Sequence, residues 1–287
     1  MLKDHLFPKT IDEALTLLKE YKGKARLIAG GTDLIPEIRE GLPPFEVLVD
    51  IEKLKKLKTI REESKKIFIG SGVTFTELEE SKVIRNRAFA LHQAASLMGS
   101  PQVRNRGTIG GNIVSAQPAA DGALALFAFD AVLEIAGMRG IREIPISQAY
   151  LDIGKSAINP SKEILVGIRL NKLKKGEGSN YQRFAMRKAM ALPILACAIF
   201  VQSMDDSITS ARIAIGPVSN TPFRARETEV FLRGKPLTAE IFERAGKMAS
   251  EEVNPRDSRL RGSRIYRKGL AAVLVKRGLQ GVLANIG

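Results

Sequence analysis

The stretch ARLIAGGTDLIPE, Ala25–Glu37, passes from a short apolar run through a glycine pair into a segment with helical spacing. Ala25–Ala29 reads as a strand and Gly30-Gly31 as a turn. Leu34–Arg39 reads as a short helix stopped by Gly41 and Pro43-Pro44. A helix start offers unpaired backbone N–H groups, and glycine lets a phosphate oxygen approach them closely. Thr32 can cap that helix or hydrogen-bond a phosphate. Asp33 opposes an anion at short range but suits the first turn of a helix, where negative charge is favoured. Taken alone, the stretch is either a phosphate loop or an ordinary strand–turn–helix corner.

A second glycine pair favours the first alternative. In RGTIGGNIV, Arg106–Val114, the run Gly107 to Asn112 holds three glycines and two hydrogen-bonding side chains, Thr108 and Asn112, around Ile109. Such a run suits a backbone that passes within contact distance of a polar, extended ligand. It closes a long polar connection, Gly99–Asn112, of the kind that is usually functional in a compact domain. Glycine at 30, 31, 110 and 111 is expected to leave room for that ligand. Asp121 either accepts hydrogen bonds from ligand hydroxyls or serves as an N-terminal helix charge. The spacing fits neither G-x-G-x-x-G nor the P-loop pattern.

Around these loops the chain alternates. Thr10 and Glu13 form a capping-box pattern ahead of a helix at Ile11–Tyr21, and Val47–Ile51 is a strand, giving an αβαβ unit. Leu57–Arg61 and Lys66–Ile69 read as a hairpin. Thr74 or Thr76 caps a short helix, and Ser81–Met98 reads as one long amphipathic helix. Pro118–Phe129 is a helix, Ala131–Ala136 with Arg139–Ile144 a second hairpin, and Glu163–Leu170 a strand. The polar segment NKLKKGEGS, Asn171–Ser179, marks a domain boundary. Beyond it lie strands near Asn180–Arg187, Ile194–Gln202 and Ser207–Ile215, then helices near Arg224–Leu232, Thr238–Ser250 and Ser263–Asn285. Strands first and helices afterwards indicate α+β.

Composition excludes several function classes. The 287 residues are 44% hydrophobic, sufficient for two domains. No apolar run reaches the roughly 20 residues of a membrane helix, and the acidic, Pro8-broken N-terminus does not resemble a signal peptide. A soluble cytoplasmic chain is expected. Cys197 is the single cysteine, so this chain cannot ligate an iron–sulfur cluster by itself. His5 and His92 are the only histidines, which removes a multi-His metal site and any obvious triad. The formal charge of +14 favours anionic partners. It comes without a nucleic-acid motif, and no nucleic acid is expected. With catalytic side chains scarce, a cofactor would have to carry any chemistry.

AGGTDL at Ala29–Leu34, GSPQVRNRGTIGGNIVSAQPAAD at Gly99–Asp121 and FPKTIDEALTLL at Phe7–Leu18 together resemble the FAD-binding (medium) subunit of molybdenum hydroxylases. This family includes xanthine dehydrogenase, carbon monoxide dehydrogenase, aldehyde oxidoreductases and nicotinate dehydrogenase. The resemblance covers the whole chain. It implies a two-subdomain FAD-binding fold of the vanillyl-alcohol oxidase (PCMH) type over residues 1–173, with subdomains of about 1–54 and 55–173, and an α+β domain over 177–287 that covers the flavin. The first loop would contact the FAD pyrophosphate through Ala29, Gly30, Gly31, Thr32, Asp33 and Leu34. The second would line the dinucleotide through Thr108, Ile109, Gly110, Gly111 and Asn112, with Asp121 on cofactor hydroxyls. Leu165, by its backbone, and Arg183 fit the family pattern further on. Tyr181 is either near the flavin or a core residue.

By the same resemblance the chain is an oxidoreductase subunit that does not oxidise the organic substrate itself. A large partner with molybdopterin would do so, and a small partner with two [2Fe-2S] clusters would relay electrons to FAD. From FAD they would pass to NAD+, a quinone or another acceptor, in a dimer of heterotrimers. The lone Cys197 agrees with clusters held elsewhere. It also argues against the 4-hydroxybenzoyl-CoA reductase branch, whose flavin subunit carries a Cys-ligated cluster. The alternative is a self-sufficient FAD-dependent oxidase or dehydrogenase of the same fold, which would need its own substrate pocket and base.

Overall fold

The computed structural model describes residues 2–41, 45–187 and 190–286. Pro43 and Pro44, expected to end the first loop's helix, lie outside them.

The chain begins with β1 (Asp4–Leu6), α1 (Ile11–Glu20), β2 (Ala25–Ile28), α2 (Leu34–Arg39) and β3 (Val47–Asp50). Thr10 caps α1 by accepting from Glu13 N at 3.1 Å, while the Glu13 carboxylate accepts from Lys9 N at 2.6 Å. The three strands pair in parallel in the order β1-β3-β2. β1 is an addition to the expected αβαβ unit, too short to carry a period.

A five-stranded antiparallel sheet follows, ordered β4-β5-β10-β6-β7. Its strands are β4 (Ile60–Glu62), β5 (Lys66–Gly70), β6 (Val132–Gly137), β7 (Gly140–Pro145) and, after the small hairpin β8 (Tyr150–Asp152) and β9 (Lys155–Ser156), β10 (Glu163–Asn171). One face packs Phe68, Ala136, Ile164 and Val166 against Leu15 and Leu18 of α1 and Val49 of β3. Six helices are inserted between β5 and β6, α3 (Phe75–Glu80), α4 (Lys82–Arg87), α5 (Phe89–Leu97), α6 (Pro101–Arg104), α7 (Ile109–Val114) and α8 (Asp121–Ala128), and all but α6 contribute to the core on the opposite face.

Two sequence expectations change here. Ser81–Met98 is not one helix: it breaks at Ala88, because Leu173 N donates to the Arg87 carbonyl at 2.9 Å and Leu91 N turns to Ala88 O instead. The connection Gly99–Asn112 is not a loop throughout. Ser100 caps α6 with Pro101 at its first position, and Gly110-Gly111 lie in the first turn of α7.

The last part is a four-stranded antiparallel sheet, β11 (Glu177–Ala185), β12 (Pro193–Met204), β13 (Ser207–Gly216) and β14 (Phe223–Arg224), followed by α9 (Arg226–Leu232), α10 (Ala239–Glu252) and α11 (Arg264–Leu283). The unbroken apolar run of β12 has a physical cause. Leu195, Cys197, Ile199 and Val201 face α10 and α11, whereas Ala196, Ala198 and Phe200 face the inserted helices of the preceding part. A strand buried on both faces shows no polar alternation. Cys197 is a core residue whose thiol burial pushes up to about 12. Arg212 and Arg224 close the contact by donating to the terminal carbonyls of α8, Ala128 O at 2.7 Å and Phe127 O at 3.1 Å.

Candidate functional site

The two glycine stretches meet. Gly30, Gly31, Thr32, Asp33 and Leu34 form one wall of a cleft, and Thr108, Gly111, Asn112 and Ser115 form the other. A recess opens beside it between Ala29, Ser71, Gly110, Gly111 and Leu165. A fork between Arg106 and Glu52, at 2.7 and 2.9 Å, ties the second stretch to the segment following β3.

The walls differ in what they offer. On the first, the consecutive N–H groups of Gly30, Gly31, Thr32, Asp33 and Leu34 donate to no acceptor among the described residues. On the second, Ile109 N donates to Val73 O, Gly110 N to Ser71 O, Asn112 N to Thr108 O and Gly111 N to Thr108 Oγ1, all within 3.0 Å. The backbone donors of Ile109–Asn112 are therefore used, leaving Thr108 N and Asn112 Nδ2 as this wall's donors without an acceptor among the described residues, beside the bare edge of Gly111. The first wall offers a row of consecutive backbone donors suited to an anion, whereas the second offers mainly a surface to pack against, with two isolated donors.

The glycines do different work from that expected. A Cβ on Gly30 would stand 1.8 Å from Arg106 O, and one on Gly110 would stand 2.6 Å from both Cβ and O of Ser71. These two let backbone meet backbone; they leave no ligand space. At Gly111 the nearest obstacle is Thr108 Oγ1 at 3.1 Å, so Gly111 is the residue whose missing side chain keeps the cleft open.

Asp33 sits at the start of α2 without capping it by its side chain. Solvent reaches it, but the cleft walls crowd it enough to raise its carboxyl above the usual range, with Ser115 acting in the opposite sense.

Other expected residues lie elsewhere. Ile109 is fully buried in the core beneath α7. Asp121 and Arg183 do not line the cleft; they pair with each other at 3.1 Å, both side chains 6% exposed. Asp121 also accepts from the Tyr181 hydroxyl at 2.6 Å, and Arg183 donates to Ala191 O. Burial raises the Asp121 carboxyl, opposed by Arg183 and Tyr181. Asn112 reaches both places, lining the cleft while its Oδ1 accepts from Ala123 N at 3.0 Å in the first turn of α8. Ser71 was not foreseen. Its hydroxyl is buried beside the recess without a partner among the described residues, and its flanking Gly70 and Gly72 were the sequence signal.

A cleft with a row of free backbone donors on one wall and a glycine edge on the other suits an extended, phosphorylated ligand such as a dinucleotide. Residues 3–172 match the family model described as the FAD binding domain in molybdopterin dehydrogenase, and residues 180–282 match the CO dehydrogenase flavoprotein C-terminal domain. The chain belongs to this family of FAD-binding subunits. It is 35% identical to the nicotinate dehydrogenase FAD-subunit of Eubacterium barkeri over 93% of this chain and 92% of the relative. Identity to a xanthine dehydrogenase FAD-binding subunit of Escherichia coli is 32%, over 97% and 95%. Among solved structures, carbon monoxide dehydrogenase from Hydrogenophaga pseudoflava lacking the Mo-pyranopterin moiety superposes with a TM-score of 0.94, at 30% identity, over 100% of this chain and 99% of that one. No described helix is long and apolar enough to cross a membrane.

Proposed function

We propose that the free N–H groups of Ala29–Leu34 receive the FAD pyrophosphate and that Thr108, Gly110, Gly111, Asn112 and Leu165 line the rest of the dinucleotide. Ile109, Asp121 and Arg183 then act from behind, holding α7 and α8 in place. Bound FAD supplies two-electron redox chemistry, with electrons arriving from [2Fe-2S] clusters of a small partner and leaving to NAD+, a quinone or another acceptor. The chain's own residues bind and orient the cofactor; a large molybdopterin partner oxidises the organic substrate. Further parts of this reading are a boundary between residues 173 and 177, a dimer of heterotrimers and a cytoplasmic setting.

The supporting observation is the asymmetry of the cleft, five consecutive unused backbone donors at Gly30–Leu34 opposite the Ile109–Asn112 backbone, whose donors are spent. Purification of the chain with its co-expressed neighbours tests the reading. It predicts flavin absorbance on this chain, with molybdenum and iron on the co-purifying chains. Turnover of a small substrate by the isolated FAD-loaded chain would instead favour a self-sufficient oxidase.

A further inference from the structure

A second cavity, of about 490 Å³, lies where the loop before α11 meets the residues between α7 and α8. Arg256, Arg261 and Arg267 line it. Arg267 forms its floor, only 3% exposed, with Nη1 donating to Arg256 O at 2.9 Å and Nη2 to Pro217 O. Its Nε is buried without an acceptor among the described residues. Arg261 is half-buried and Arg256 lies at the exposed rim.

No described carboxylate forms an ion pair with any of the three. Asp257 also borders the cavity, but its Oδ1 is taken by the first N–H of α11, Arg264 N, at 2.6 Å. Burial and mutual repulsion lower the pKa of Arg261 and Arg267. Unpaired guanidinium groups that face a cavity are costly unless an anion joins them, and their planar forks match phosphate oxygens. The remaining wall is mixed. Pro118, Ile153 and Val218 give an apolar side, and Asn220 and Asn254 give amide groups. The volume exceeds what an inorganic ion needs.

We propose that this cavity binds a small organic phosphate, its phosphate on Arg256, Arg261 and Arg267 and its apolar portion against Pro118, Ile153 and Val218. The site is separate from the flavin cleft but adjoins it. Gln117 and Gly154 line the cleft, and their chain neighbours Pro118 and Ile153 line the cavity. It also draws on both halves of the chain, so its ligand would bridge them. None of this depends on the route of the electrons.

The test is calorimetric titration of the full chain, saturated with FAD so that the pyrophosphate loop is filled. Probes are inorganic phosphate, a nucleoside monophosphate and the corresponding nucleoside. The expected result is one site that takes the nucleotide at least tenfold more tightly than phosphate and does not take the nucleoside. Arg256→Gln and Arg261→Gln should each weaken nucleotide binding at least tenfold at unchanged FAD content. Arg267 is left intact because its backbone bonds make it structural. Absence of nucleotide binding, equal affinity for phosphate and nucleotide, or unchanged affinity in either variant would overturn the proposal. So would loss of the site on assembly with the partner subunits, which would reassign the arginines to a protein contact.

Discussion

The carbonyl of Arg106 occupies the place where residue 30 would carry a side chain, 1.8 Å from that Cβ. Gly30 is thus the point at which the first glycine stretch rests on the second, and the cleft's geometry follows from this contact. Gly30→Ala should force the loops apart, at a cost of about 1–3 kcal/mol by the usual penalty of overpacking. Both the apo-protein Tm and FAD content should fall. Gly111→Ala, whose Cβ would meet only the cap oxygen Thr108 Oγ1 at 3.1 Å, should lower the apo-protein Tm much less than Gly30→Ala and weaken FAD binding. Thermal unfolding with flavin stoichiometry separates the two effects.

The Asp121–Arg183 pair carries a different consequence. Asp121→Asn leaves a buried guanidinium without its counter-charge and should destabilise the chain by about 3–5 kcal/mol. Tyr181→Phe removes one hydrogen bond and keeps the ion pair, for a loss of about 2 kcal/mol. Denaturant unfolding should rank the variants in that order. Equal losses would mean that the charge pair contributes no more than the hydroxyl.

These residues also show what could be read from sequence. The glycine stretches, the cap at Thr10 and the strands-then-helices succession of the last part were visible because each is local: a turn residue, a capping side chain, an apolar run. The helix break at Ala88 was not, since it is caused by Leu173 N, far along the chain. Nor was the distinction between Gly30 and Gly111. Both are glycines beside a ligand cleft in sequence, and only the position of the Arg106 carbonyl tells a packing glycine from an open one. Asp121 was correctly placed near a helix start, but its burial against Arg183 and Tyr181 depends on how the last sheet docks.

Thr108 links local and functional structure, because its hydroxyl accepts from Gly111 N at 3.0 Å and so holds the first turn of α7. Thr108→Val keeps the shape and loses the acceptor. Stability should fall by about 1 kcal/mol, the usual loss of an N-cap. FAD affinity should fall with it as the Gly111 edge loosens, which fluorescence titration of FAD would show.

Stability should also depend on pH through His92. Burial, reinforced by Arg85, lowers its pKa below the ordinary value, and its Nδ1 is buried without a hydrogen-bond partner among the described residues. The unfolded chain therefore binds a proton before the folded one does. The stability this neutral imidazole contributes is present above about pH 6.5, its unfolded pKa, and is lost as pH falls toward the folded value. Tm measured from pH 7.5 downward should decline more steeply in the wild type than in His92→Gln. Parallel profiles would remove His92 as the cause.

Amide hydrogen exchange with and without FAD addresses the asymmetry of the cleft most directly. The unused N–H groups of Gly30–Leu34 should become strongly protected when FAD is added. Those of Ile109–Asn112, already donating within the chain, should change little. Protection confined to Ile109–Asn112, with Gly30–Leu34 exchanging as before, would contradict the assignment of the first loop to the pyrophosphate.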